Sequence, residues 1–432
     1  MLVRRSDKIG LIEVDHRDAE PPLTQPLSAR QPSAEPLLTP GFFAMCGFSL
    51  TVFLSVFLIL PTAPFRILDL GGGKPAAGLF LGFLTYSSAV SAPLTGALAD
   101  RAGKRRVLVV CSLAIAAFSV AYALSRSYRF TLALALVHGV FWSALLSASA
   151  AYMTDIIPES RRTEGIGYWG LSSIVAIAVA PPLAFWIYRY GWAWLCAVSA
   201  TLNLLMAGIA WSLREPPRTS VASERFFTRR LLEWRVLLLS VTLFLYSYGY
   251  GAITSFVALF ADALRVAPKG QYFTVFAVVV LATRPVAGRF ADRVGPRRIF
   301  LPCLALIALG LGILVLADSR GELVASALVF GAGFGTAYPV YAAYVMTHVP
   351  ASRRGAAFGA ILAAFDTGIG TGSVVTGWVV DRLGFQAAFG LAAVLSAFAI
   401  PYFLSVEKRL LSPRAATVPG SRAFVDTTAN PP

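Results

Sequence analysis

The feature that most constrains this chain is a succession of apolar blocks about 20 residues long, the length at which a helix crosses about 30 Å of hydrocarbon. Twelve such blocks lie between charged or Pro/Gly breaks, starting near residues 41, 76, 106, 129, 165, 191, 235, 270, 299, 321, 355 and 385. Charged residues make up only 14% of the 432 positions and hydrophobic ones 57%, too little polar surface to clothe a water-soluble protein of this length. The expected fold is an all-α membrane protein of twelve transmembrane helices, referred to below as spans one to twelve.

Residues 1–40 mix charges with Pro and Ser and lack an apolar core, so they read as a disordered tail and not as a cleavable signal peptide. The polar, basic stretch 214–234 divides the rest into two six-helix bundles, 41–213 and 235–405, and 406–432 is a second polar tail. Assigning loops alternately to two sides puts roughly three-quarters of the 37 Lys and Arg on the side holding both tails, which places both termini in the cytoplasm of a cell-membrane protein. The net charge of +15 is thus topological, and no groove-reading module suggests nucleic acid as a partner. Cys46, Cys111, Cys196 and Cys303 all fall in apolar runs without metal-ligand spacing, so no metal and no disulfide is expected.

The chain aligns with itself at an offset of 192 residues. Pro93 falls on Pro285, Gly96 on Gly288, Asp100 on Asp292, Arg101 on Arg293, Gly103 on Gly295, Arg105 on Arg297, Gly139 on Gly331 and Tyr152 on Tyr344. A constant offset across four helices predicts two pseudo-symmetric bundles packed about an axis along the membrane normal, with a substrate path between them.

The loop after span two, Gly96-Ala97-Leu98-Ala99-Asp100-Arg101-Ala102-Gly103-Lys104-Arg105-Arg106, resembles the signature loop of the major facilitator superfamily, and its echo runs from Gly288 to Arg298. The resemblance covers all twelve spans. It implies a latch on the cytoplasmic side in which Asp100 meets the start of span eleven near Gly355, while Asp155 offers Arg101 or Arg105 a partner. In the second copy Asp292, Arg293 and Arg297 recur, but Thr347 stands at the repeat position of Asp155, so one carboxylate is missing. The segment Leu60-Pro61-Thr62-Ala63-Pro64 resembles the paired prolines of twelve-span drug/proton antiporters. Ala135 stands where those antiporters carry an arginine, and Ala180-Pro181-Pro182 replaces their Gly-Pro run, so that signature is incomplete.

An ionisable residue deep in a span is costly unless it meets water or a partner, which makes the few present the best functional candidates. Asp366 lies about eleven residues inside span eleven, near the midplane, beside Gly368, Gly370 and Gly372. It fits either proton coupling or recognition of a substrate cation, or else a buried structural hydrogen bond. Arg284 is expected about one turn inside the cytoplasmic end of span eight, where it snorkels to the interface or pairs with Asp366 or an anionic substrate. His138 in span four fits a proton carrier or a packing residue. Tyr246, Tyr250 and Tyr338 fit an aromatic cavity wall or plain core.

These features describe a secondary transporter and not an enzyme: a chain without a phosphate-binding GxxxxGK[ST] loop, needing no cofactor, and acting on a small-molecule substrate with a proton as coupling ion. Efflux of an organic solute by a monomer in membrane lipid is the leading reading. A metabolite importer of the same fold and a non-transporting receptor are the alternatives.

Overall fold

The computed structural model describes residues 36–215, 234–349 and 354–411, and these are helical almost throughout. In lipid, backbone polar groups have no water to bind, and helices satisfy them within each segment. Span one is Pro40–Ile59, extended on its far side by the short helix Ala63–Asp69. Spans two to six are Lys74–Ala102, Lys104–Leu124, Tyr128–Ile156, Arg162–Tyr188 and Trp192–Ser212. Spans seven to ten are Trp234–Ala263, Gln271–Val294, Pro296–Leu316 and Arg320–His348. The last helix, Arg354–Leu411, is broken at Gly384, whose φ of 87° divides it into spans eleven and twelve.

Among the described residues ten helices are long and apolar enough to cross a membrane, the last of them covering two spans. Span eight completes the set, although only its Gln271–Arg284 part is strongly apolar. Every span begins within about three residues of the position read from hydropathy. Local signals set the starts: the Thr39 hydroxyl accepts the Phe42 N–H ahead of Pro40, and Ser319 with Glu322 forms a capping box for span ten. Two ends differ from expectation. Leu37 is buried rather than part of a loose tail, and span twelve runs past residue 405 to Leu411, with its acidic Glu407 held in an ion pair.

The duplication is visible as repeated contacts. A Cβ on Gly139 would overlap the Leu84 carbonyl, and 192 residues on, a Cβ on Gly331 would press the Phe276 carbonyl, so spans two and four cross as spans eight and ten do. Gly103 and Gly295 both take φ 95° at the turn into the next span, a conformation that favours glycine.

The halves meet near the face opposite the described ends of the chain, here called the far side; the other is the tail side. Span two lies against span eleven: the Ser373 hydroxyl donates to the Gly78 carbonyl at 2.7 Å, Tyr86 and Thr371 share a 2.8 Å hydrogen bond, and Gly370 abuts Thr85. Span five lies against span eight, where Gly270 abuts Pro181 and Pro182 and the Thr274 hydroxyl donates to the Ala178 carbonyl at 3.4 Å. Towards the tail side the same faces part. Pro93 and Gly359 are exposed, and a Cβ at Gly96, Gly167 or Gly359 would meet nothing among the described residues within 4 Å. The molecule is therefore closed on the far side and open as a cleft on the tail side.

Candidate functional site

Asp366 sits on the face of span eleven that turns towards span two, one helical turn to the tail side of Gly370. It is twelve residues from Arg354, about 18 Å into the helix, and it is partly exposed where the halves begin to separate. No hydrogen bond or ion pair among the described residues holds it. The Tyr338 ring lies 4.9 Å from that of Phe365, the residue before Asp366, and its hydroxyl is buried with no hydrogen-bond partner among the described residues. The glycines beside it are used for helix contact: Gly368 meets Phe244, and Gly372 meets the Tyr248 carbonyl.

Arg284 is ten residues from the tail-side end of its helix, about 15 Å, and not one turn. The polar Gly288–Val294 segment, expected as a loop, continues the helix and carries Arg284 towards mid-depth. Its guanidinium crosses the gap between the halves: Nη1 is 3.8 Å from where a Cβ of Gly170 would lie. No ion pair joins it to Asp366, which lies on the opposite edge of its half, against span two.

His138 does not face this cleft. It is 3% exposed, stacked on Phe118 at 5.4 Å, and its Nδ1 is 3.2 Å from the Tyr122 hydroxyl. Its Nε2 and the Asn203 side-chain oxygen have no partner among the described residues, and both residues line a small cavity bounded by spans one, three, four and six, with room for about one water. Tyr246 is likewise core, fully buried among Phe300, Phe334 and Phe365. Tyr250 is stacked on Phe334 at 4.4 Å and is only partly buried.

The tail-side loops hold a second cluster, with partners other than those expected. Asp155 pairs with Lys104 at 2.5 Å, not with Arg101 or Arg105. The Arg105 guanidinium donates to the Trp211 carbonyl, and its backbone N–H donates to Glu215 at 3.1 Å, so the end of span six caps the start of span three. In the second half Arg297 donates to both carboxylate oxygens of the buried Glu407, at 2.8 and 2.9 Å, and Tyr344 donates to the same group. Glu215 and Glu407 are themselves 192 residues apart. The second loop thus has its carboxylate, in span twelve rather than span ten. The offset that aligns the loops was the signal that could have found it. Lys104 and Asp155 are replaced together, by Pro296 and Thr347. Arg101 and Arg293 are exposed. The side chains of Asp100 and Asp292 lie outside what is described, as do the surroundings of Gly288 and Gly355.

Twelve spans in two repeated halves, joined at one face and parted at the other around a cleft with a mid-depth carboxylate, define a secondary-transporter architecture. The Major Facilitator Superfamily family model matches residues 45–272 and 239–428, and the chain belongs to that superfamily. It is 22% identical over 382 residues to a staphylopine export protein of Staphylococcus aureus, covering 84% of this chain and 94% of that one. It is 26% identical over 398 residues to an uncharacterised transporter of the same type from Pseudomonas aeruginosa, covering 90% and 98%. Among solved structures it resembles a bacterial homologue of the human lysosomal transporter Spinster in an inward-facing, unoccupied conformation, with TM-score 0.72 and 16% identity over 88% of this chain and 98% of that one. The nucleoside transporter NupG aligns with TM-score 0.69 and 16% identity over 86% and 100%. The chain is thus a multi-pass membrane transporter of a small-molecule substrate.

Proposed function

We propose that the chain is a proton-coupled exporter of a small organic solute in the cell membrane, with both tails in the cytoplasm. The basic tail-side loops support that orientation, and on it the cleft is open to the cytoplasm. The likeness to an inward-facing structure and to a staphylopine exporter supports both the state and the direction.

The observation that carries the coupling is Asp366, a carboxylate at mid-depth with no ion pair among the described residues, on the face where the halves separate. When the tail side closes, span two covers that face and withdraws the carboxylate from water. An ionised carboxylate there is expensive, so closure favours the protonated form and opening to water favours release. The bundles 41–213 and 235–405 rock as rigid bodies. The Lys104–Asp155 and Arg297–Glu407 pairs stiffen each bundle, and Gly96, Asp100, Gly103, Gly288 and Asp292 form the closing edge.

In liposomes, Asp366→Asn mimics the protonated state. Net transport driven by a pH gradient should vanish, while exchange of labelled for unlabelled solute should survive in part. Full pH-driven transport by folded Asp366→Asn would remove the coupling role.

A further inference from the structure

We propose that Arg284 is the anion subsite of the cleft, and that the transported solute carries a carboxylate or a comparable oxyanion. This rests on the transporter reading but not on the identity of the coupling ion. The guanidinium reaches across the gap from span eight to Gly170 of span five and has no hydrogen bond or ion pair among the described residues. The helix runs on for about 15 Å beyond Arg284 on the tail side, so the guanidinium stands along the wall of the cleft and not at the helix end. In the open cleft it is wetted from the tail side. Closure would press it between two helices whose facing positions are apolar or small: Gly167, Leu171 and Ile174 on span five, and Ala277, Val278 and Leu281 on span eight.

Those two helices carry two acids towards the tail side: Glu164 is engaged in a two-point pair with Arg161 at 2.8 Å, and Asp292 lies eight residues beyond Arg284, about 12 Å along the helix. Asp366 lies on span eleven, and no ion pair joins it to Arg284. Removing an unpaired guanidinium from water costs several kcal/mol. A counter-charge that arrives with the solute removes that penalty, and the planar fork of Arg284 is suited to gripping a carboxylate at two points. Gly170 leaves room for it, because a larger side chain would occupy the space beside the guanidinium. The repeat partner of Arg284 is Ala92, so the subsite belongs to one half only. The loaded carrier closes, and the empty one is held open by its own bare charge.

Two measurements on the purified full chain test this. The first needs no ligand. A cysteine at Ala97, on the tail-side part of span two, is alkylated from the tail side in the parent protein and in Arg284→Gln. The expected result is alkylation several-fold slower in Arg284→Gln, because the empty carrier no longer resists closure. Equal rates would overturn the proposal. The second compares three probes of one shape, phenylacetate, phenylacetamide and phenethylamine, by thermal stabilisation. Phenylacetate alone should stabilise the parent protein, with the effect lost in Arg284→Gln and partly kept in Arg284→Lys. A response indifferent to probe charge, no response to phenylacetate, or a phenylacetate response that survives Arg284→Gln would overturn it. Loss of this subsite with pH-driven transport of a neutral or cationic solute intact would leave the proton-coupled reading standing.

Discussion

At the scale of single residues, the two loop clusters separate a buried charge from an exposed one. Glu407 is 9% exposed in its side chain and accepts from two donors, Arg297 Nε across both its oxygens and the Tyr344 hydroxyl, whereas Glu215 lies open at the end of span six. Glu407→Gln leaves Arg297 without its counter-charge, and because the Arg297 side is 45% exposed the loss is about 1–2 kcal/mol, below that of a fully buried pair. Thermal unfolding in detergent should show it, with a much smaller loss for Glu215→Gln. Equal losses would mean that burial does not set the weight of these pairs. His138 offers a second contrast. Its repeat position holds Phe330, and its own surroundings lie inside the first half. His138→Phe should therefore leave the pH dependence of transport where it is, and a shifted pH profile would return His138 to the coupling path.

At the scale of elements, spans seven and eleven cross so closely that a Cβ on Gly251 would overlap the Ile369 carbonyl and one on Gly372 the Tyr248 carbonyl. Gly251→Ala should cost about 1–3 kcal/mol through overpacking, while Gly312→Ala, in open space on span nine, should be neutral or slightly stabilising. A tolerated Gly251→Ala would show that the two helices can slide apart. The spans were legible in the sequence because hydropathy alone fixes a 20-residue helix in lipid, and the duplication was legible because its offset never slips. The partners were not. Lys104 and Asp155 are 51 residues apart and Arg297 and Glu407 are 110 apart, and their meeting depends on how spans cross. Arg284 was misplaced because a charged segment reads as loop, whereas a helix facing a wet cleft carries charges without unwinding. The same ambiguity hid the inward direction of His138 and Tyr246, since helical periodicity gives a face but not the neighbour it meets.

At the scale of the whole molecule, transport takes one rigid-body exchange: the contacts of span two with span eleven open on the far side as the faces around Gly96 and Gly359 close on the tail side. Closed interfaces built from glycine and hydroxyl groups suit such an exchange, because backbone-level contacts separate without breaking a large interlocked core. The most direct test is a pair of spin-label distances in lipid nanodiscs, one between Ala97→Cys and Gly359→Cys on the tail side and one between Gly73→Cys and Asp381→Cys on the far side, each at acidic and alkaline pH. The account predicts two populations whose distances change in opposite senses, long on the tail side when short on the far side, with a ratio that depends on pH in the parent protein and not in Asp366→Asn. A single tail-open distribution that ignores both pH and the Asp366 substitution would contradict it.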